Sequence, residues 1–541
     1  MEQIAHKENN HQAIVRSPDR EGWLRLTTTK APAILAACPS AIVVGATDAG
    51  PQVDVPWSQE TSEVLADCGV AHVPYMTQVY DYPGTFSPFP HQYRISGFMS
   101  THKRGFILAE TGTGKTASAI WAIDYLLRIG RARRVLVVCP MSLLRFTWLK
   151  EFKHLTPNTD VTILHGASDR RKILAQDHAH VHIVNFDGVE VVYDQLLANQ
   201  YDIVVIDEST AYKNINRRWK FMRPLVANSA WVWLMSATPV AQSPMDAHGQ
   251  VKLLYGSSWA VTQSDFKMQT MLQLSKFVWR PKPEAAKIVQ DVMQPAIYVK
   301  KRDVLKDLPP LMLVEREVDL SAGQTALIKE LKKEALALMG THTITAVHAA
   351  ALRTKIIQIA SGAVYSETGE VVEVDCKNRV AELLDMVKHV RERAVVGVPN
   401  NKVLVFCAFK HTARMVNAAL TAAGYKSAEV DGEASPRQRD TIFNEFQNGA
   451  EIECIVAVPE VMAHGLTLTA ASTVVWFTPH SRAEVYQQAC GRIERPGQKF
   501  SMEIVHIHGS EAERNMYTNL RDRAATQADV LSGYAEIANL L

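Results

Sequence analysis

Residues 109–118, AETGTGKTAS, have the composition and order of a phosphate-binding loop. Gly112 and Gly114, with Thr113 between them, let the backbone curl so that successive N–H groups face an anion. Lys115 can neutralise β- and γ-phosphate charge, and the Thr116 hydroxyl can reach a Mg2+ ion. The usual pattern opens with glycine where this chain has Ala109, a position that only starts the loop. The bare alternative is a flexible Gly/Thr turn with a chance lysine. A second cluster, VVIDEST (204–210), ends an apolar run with Asp207, suited to holding the metal, and Glu208, suited to polarising a water. The same acidic pair could instead begin a helix with no chemical role. Gln92, in FPHQYRISGFM (89–99), offers an amide that both donates to and accepts from adenine, or is a plain surface residue at a helix start. In YQQACGRIERPGQK (486–499), Arg492 and Arg495 stand three residues apart, one turn along a face. Either could neutralise charge in a phosphoryl-transfer transition state, an effect of ~10³–10⁵ in rate. A solvated basic helix face is the other reading.

These groups need strand ends and helix starts to present them. Short β-branched runs alternate with helical stretches in two blocks, the pattern of parallel α/β sheets. The first block predicts strands at 106–110, 134–139, 161–165, 181–186, 202–207 and 231–236. The second predicts them at 312–319, 402–407, 427–431, 452–457, 473–477 and 502–507. Two such lobes in one chain imply a cleft, a favoured place for a ligand. The expected divisions are an N-terminal accessory region (1–78), lobe 1 (79–243), a helical insertion and bridge (244–310), lobe 2 (311–510) and a C-terminal helical tail (511–541). Residues 323–340 have helical periodicity. Trp259, Phe266, Phe277 and Trp279 are the expected packing residues of the insertion.

Composition sets the bounds. At ~150 residues per domain, 541 residues predict three to four domains or a two-lobed enzyme with insertions. A chain 47% hydrophobic and 21% charged is not broadly disordered. The net charge of +2 announces no polyanionic partner, so any nucleic-acid surface must be local. MEQIAHKENN does not read as a secretory signal. The uncharged stretch Ala31–Thr47 contains prolines and is short for a membrane span, so it reads as a buried helix–turn–strand. Seven cysteines without metal-ligand spacing suit a reducing compartment with no disulfides or structural zinc. The expectation is a soluble intracellular protein, with no membrane partner.

The motifs taken in order resemble the Swi/Snf-type family of superfamily 2 helicase-like ATPases. PHQ (90–92) and AETGTGKT resemble the first two motifs, and CPMSLLRFTWLKEF (139–152) the next, with Pro140, Trp148 and Glu151 in place. DESTAYKN (207–214) and SATP (236–239) follow, then a bridge-like YVKKRDVLKDLPP (298–310) and LRTKIIQIAS (352–361). In the second block, VLVFCAFKHTARMV, VDGEASPRQRDTIFNEF, VMAHGLTLTAASTVVW and QQACGRIERPGQ fill the remaining slots. Three departures stand out. Ser209 and Thr210 replace the Ala-His of the acidic box, Thr478-Pro479-His480 stands where an acidic residue is usual, and Glu494 replaces a frequent histidine.

The resemblance implies two RecA-like lobes with helical insertions, binding ATP and Mg2+ between them. Gln92, Gly112, Thr113, Gly114, Lys115, Thr116 and Gly465 would serve the nucleotide, and Thr116 and Asp207 the metal. Lys115, Asp207, Glu208, Arg492 and Arg495 would carry hydrolysis, while Ser236, Thr238 and Gln488 would couple it to the partner. That partner is expected to be duplex or branched DNA held through its phosphates, largely without sequence preference. The function implied is a DNA-stimulated ATPase and duplex-DNA translocase that remodels forks or branch points, with replication, recombination or nuclease proteins as further partners. The alternatives are a strand-separating DNA or RNA helicase and a nucleotide-gated clamp. The compact chain resembles bacterial or phage members, hence a cytoplasmic setting, nuclear only in a eukaryote.

Overall fold

The computed structural model describes residues 13–275, 279–339, 346–365, 370–393, 402–462 and 467–540. The chain divides into two compact units. One comprises Met1–Leu272, Arg280–Val304 and Thr526–Leu541, the other Gln273–Trp279 and Leu305–Ala525.

The first unit opens with strands β1 (Ala13–Arg16), β2 (Trp23–Thr27), β3 (Ile42–Thr47) and β4 (Gly50–Pro56), an antiparallel sheet in the order β1-β2-β4-β3. Leu24, Leu26, Ile34, Val53, Val55 and Leu65 form its core. The expected helix–turn–strand is present as helix Ala31–Ala37 and β3, but β3 is an edge strand exposed along its length rather than buried. The sheet is seated on the rest of the unit by the helix Gln59–Asp67. Gln59 Nε2 donates to Ser100 O (2.6 Å), its Oε1 accepts from Tyr125 OH (3.0 Å), and Glu60 pairs with Arg131 (2.9 Å). Residues 13–70 carry four Lys/Arg against seven Asp/Glu, a balance that suits packing on a protein surface better than holding phosphates.

The main sheet of the first unit contains β5 (Arg104–Ala109), β6 (Val135–Cys139), β7 (Val161–Ile163), β8 (Val181–Asn185), β9 (Ile203–Asp207), β10 (Trp231–Ser236) and β11 (Ala296–Val299). Among the described residues these seven strands are all parallel, in the order β11-β5-β10-β9-β6-β8-β7. Every residue of β6, β9 and β10 is buried, as β-branched runs covered on both faces require. Six of these strands lie where the sequence predicts them. The seventh, β11, lies in the stretch read as helical and irregular, and it borders β5. Of the four expected packing residues, Phe266 is buried, Trp259 and Trp279 are half-buried, and Phe277 lies outside the described residues.

The second unit's sheet comprises β12 (Leu311–Glu317), β13 (Lys402–Phe406), β14 (Ser427–Val430), β15 (Cys454–Ala457), β16 (Ala471–Trp476) and β17 (Met502–His508). Its order is β12-β17-β16-β13-β15-β14, again parallel, and all six strands were expected. The helix Glu511–Leu540 begins in this unit; from Thr526 onward it is counted with the first, where Val530 and Leu531 join the core. Among the described residues, no helix is long and apolar enough to cross a membrane, and no cluster of His, Cys, Asp and Glu could hold a metal by itself.

Candidate functional site

Three strands of the first sheet, β5, β10 and β9, are adjacent, and their carboxyl ends carry the phosphate loop, SATP and the acidic pair side by side. This is the edge at which open parallel sheets bind ligands. β5 stops at Ala109 and the helix Lys115–Arg128 starts after five intervening residues. Gly112 (φ +84°) and Gly114 (φ +81°) both adopt the left-handed conformation that glycine allows without strain. Thr113 and Lys115 are buried, Thr116 is half-buried, and Lys115 Nζ donates to Ala109 O at 2.6 Å. The loop's first residue is tied to β11 and the segment after it. Glu110 N donates to Val299 O (3.0 Å), while its carboxylate accepts from Tyr298 OH (3.3 Å) and Lys301 N (3.0 Å).

The helix Pro90–Thr101 lies against the loop. His91 Nε2 donates to Thr113 O at 2.8 Å, and burial pushes the His91 pKa down, so the ring stays neutral. Gln92 is buried rather than a surface residue. Its Oε1 accepts from Phe89 N (2.8 Å), and its Nε2 lies so close over Gly114 that a Cβ there would collide with it.

At the end of β9, Asp207 is buried. Oδ1 accepts from Glu208 N (3.1 Å) and Oδ2 from Trp148 Nε1 (3.0 Å). Burial pushes its carboxyl above the usual range, opposed by the Lys115 charge, the Trp148 bond and the Glu208 amide. Glu208 is left-handed at φ 55°, ψ 56°, a conformation that costs a non-glycine residue about 1–2 kcal/mol and clusters at functional sites. Trp148 reaches Asp207 from a π-helical turn, Leu144–Leu149, a local widening that also favours functional positions. The sequence places Trp148 within a motif, but its bond to a residue 59 positions away has no sequence signal. In SATP, Ser236 and Thr238 are buried and Ser236 Oγ accepts from Thr238 N at 3.0 Å. Thr238 Oγ1 has no hydrogen-bond partner among the described residues.

In the second unit the helix Ala483–Cys490 ends before the two arginines, so they lie on the following turns rather than on a helix face. Arg492 is buried with Nε donating to Gln488 O (2.9 Å). Arg495 is half-buried, with Nη1 donating to Thr467 Oγ1 (3.1 Å). Gln488 is buried and neither polar atom of its amide has a partner among the described residues. Gly465 lies outside the described residues. His480, at the place where an acid is usual, holds a carboxylate supplied from elsewhere: its Nε2 is 2.8 Å from Glu460 Oε1, and that bond holds Glu460 below its ordinary pKa.

The basic run Arg131–Arg134 is occupied structurally. Arg131 pairs with Glu60, and Arg134 donates to Asn199 Oδ1 (2.5 Å) and Asp177 O (2.6 Å). A different cluster forms from residues distant in sequence. Burial and then the charges of Arg171, Arg145 and Arg170 push His165 below its usual pKa. No carboxylate among the described residues pairs with Arg145 or Arg170, and Phe146 and Met141 nearby in the chain are half-exposed. These arginines give a local concentration of positive charge in a chain of almost no net charge.

Comparison with known proteins gives two family matches, an SNF2-related domain over residues 23–366 and a helicase conserved C-terminal domain over 385–497. Phage protein p41 of Acyrthosiphon pisum secondary endosymbiont phage 1 is 27% identical, over 76% of this chain and 89% of its own length. The Caenorhabditis elegans homolog of SWI/SNF-related matrix-associated actin-dependent regulator of chromatin subfamily A-like protein 1 is 24% identical, over 80% of this chain and 60% of that protein. Human DNA annealing helicase and endonuclease ZRANB3 is 22% identical, over 80% of this chain but 39% of that protein. Among solved structures, the Sulfolobus solfataricus SWI2/SNF2 ATPase core in complex with dsDNA shares 19% identity, over 85% of this chain and 96% of that one, with a TM-score of 0.39.

Proposed function

Because this chain belongs to the SNF2-related family of helicase-like ATPases, we propose that it is a DNA-stimulated ATPase that moves along duplex DNA, with forks or branch points as favoured substrates. The observation that carries the reading is the adjacency of phosphate loop, SATP and acidic pair at the carboxyl ends of β5, β10 and β9. The relatives named for DNA annealing and the unpaired cations Arg145 and Arg170 support DNA as the partner.

In this reading the Gly112–Gly114 amides and Lys115 hold the β- and γ-phosphates of ATP, and Lys115 leaves Ala109 O to do so. Gln92, beside Gly114, faces the base. The donor set fits a divalent cation: Asp207 accepts one bond on each oxygen and keeps further lone pairs, and the Thr116 hydroxyl stands on the first turn after the loop. Held by Asp207 and Thr116, Mg2+ would supply positive charge to offset that of the phosphates. Glu208 orients and polarises the attacking water. Arg492 and Arg495 contribute positive charge to the same step, and Ser236, Thr238 and Gln488 link it to DNA. The unpartnered Thr238 hydroxyl and Gln488 amide support that role, since buried polar groups are otherwise satisfied.

The test is ATP turnover with single-stranded, duplex, forked and four-way DNA and with RNA, together with displacement of a third strand from a triplex. Duplex or branched DNA should stimulate most, and triplex displacement should outpace strand separation on matched substrates. Faster unwinding than displacement would favour a helicase, and turnover indifferent to DNA would favour a nucleotide-gated clamp.

A further inference from the structure

The helix Asp246–Tyr255 touches both the acidic box and the SATP turn, and each contact is made by a buried side chain. Ser209 Oγ donates to Gln250 Oε1 at 2.7 Å; Gln250 Nε2 then donates to Pro239 O at 2.8 Å and to Asp246 O at 2.8 Å. One turn earlier on the same helix face, Asp246 Oδ2 accepts from Gln242 N at 2.8 Å and from Lys213 Nζ at 3.4 Å. Gln250 and Asp246 therefore each span from segment 209–213 to segment 239–242. Gly249 makes the approach possible. A Cβ at that position would lie 2.6 Å from Tyr212 O and closer still to Lys213 O. Trp219 Nε1 fixes the same peptide by donating to Gly249 O at 2.9 Å.

The polarity of this bridge is determined. Gln250 Oε1 can only accept, so the Ser209 hydroxyl must donate, and both Nε2 hydrogens are used on carbonyls. Gln250 is fully buried, so water cannot replace a partner that moves away. Ser209 directly follows Asp207-Glu208, and Pro239 directly follows Thr238. A shift on the nucleotide side thus either carries the SATP turn with it or leaves a buried amide unsatisfied. The His commonly found at the end of the acidic box is Thr210 here, and the chain has its own link in this place.

We propose that Gln250, assisted by Asp246, is a positioning residue that transmits the arrangement of the acidic box to the Ser236–Gln242 turn through Ser209. The inference rests on reading Asp207 and Glu208 as the hydrolytic acids. Its test uses the full-length chain with Mg2+ and AMP-PNP, following amide hydrogen exchange across residues 236–242. In the wild-type protein, nucleotide should slow exchange there by about tenfold. Gln250→Leu, which removes every bond made by the Gln250 side chain, and Ser209→Ala, which removes one bond, should abolish that response while nucleotide affinity stays within about threefold. Gln250→Glu retains the acceptor for Ser209 and the side-chain shape but loses the donors to Pro239 O, and should also fail to respond. The Ser209→Ala/Gln250→Leu pair should lose no more than Gln250→Leu alone, the signature of one shared path. Wild-type-like slowing in Gln250→Leu and Gln250→Glu, or no slowing in the wild type, overturns the proposal. Duplex-DNA stimulation is read in parallel. A wild type that DNA does not stimulate, but whose exchange response depends on Gln250, refutes translocation and upholds the bridge.

Discussion

In the proposed reaction Lys115 and Glu208 deal with charge at different moments, so their losses should differ in kind. Lys115→Ala removes the cation assigned there to binding and to the transition state and is expected to weaken both nucleotide affinity and turnover. Glu208→Gln should spare affinity and reduce DNA-stimulated phosphate release by about 10² or more, as removal of one well-placed electrostatic group does. Unchanged turnover in either variant contradicts the assignment. Trp148→Phe is the sharper experiment. It keeps a ring in the π-helical turn but takes one N–H from the buried Asp207 carboxylate. A hydrogen bond to a charged group is worth about 1.5–3 kcal/mol, which predicts a roughly tenfold or greater fall in kcat with KM for ATP little altered. Equal loss of kcat and thermal stability would mean that Trp148 only packs. At this scale the sequence shows which groups are available, because loop glycines, lysine and acids keep fixed local spacing. It does not show Trp148–Asp207, Ser209–Gln250 or the Arg145–Arg170–Arg171 cluster, each of which brings together residues far apart in the chain.

Among the elements, the helix Asp246–Tyr255 and the N-terminal sheet give the clearest tests. Gly249→Ala places a methyl group against two backbone carbonyls that have no side-chain freedom to yield. A cost of about 1–3 kcal/mol is expected from denaturant unfolding of the full chain, as for other overpacked sites; a neutral result would mean that the helix can slide. Gln59→Ala leaves Ser100 O and Tyr125 OH without their partner and should raise amide exchange and protease sensitivity in residues 13–67 before the rest of the unit. The twelve predicted strands were legible because buried parallel strands are nearly continuous β-branched runs, as in VLVVC and IVVID. β11 was hidden by its brevity, four residues between a proline and a Lys-Lys pair. Of the N-terminal strands only β3 was expected, and as a buried one, because an apolar run does not itself show that an edge strand is exposed.

Across the whole molecule, pH and salt act in separable ways. Burial holds His102 at about 4 in the first unit and His506 at about 3 in the second, against an ordinary 6.5. Between pH ~6.5 and ~4 the unfolded chain therefore binds more protons than the folded one, and stability falls as pH falls, by up to about 1.4 kcal/mol per pH unit for each histidine. Denaturant midpoints measured across that range should show the slope, and His506→Phe should reduce it. Salt should instead weaken DNA stimulation while leaving DNA-free turnover nearly constant, because phosphate contacts release counterions; stimulation indifferent to salt would exclude a backbone-held duplex. The placement of β11 has a further outcome during synthesis. Until Ala296–Val299 leave the ribosome, the strand that feeds the phosphate loop is an open border with unsatisfied amides, and about sixty residues separate it from the end of β10. A nascent chain at ~5–20 residues per second thus waits several seconds with its most sensitive strand uncovered, and fragments that stop near residue 290 should clump more than those ending past 304.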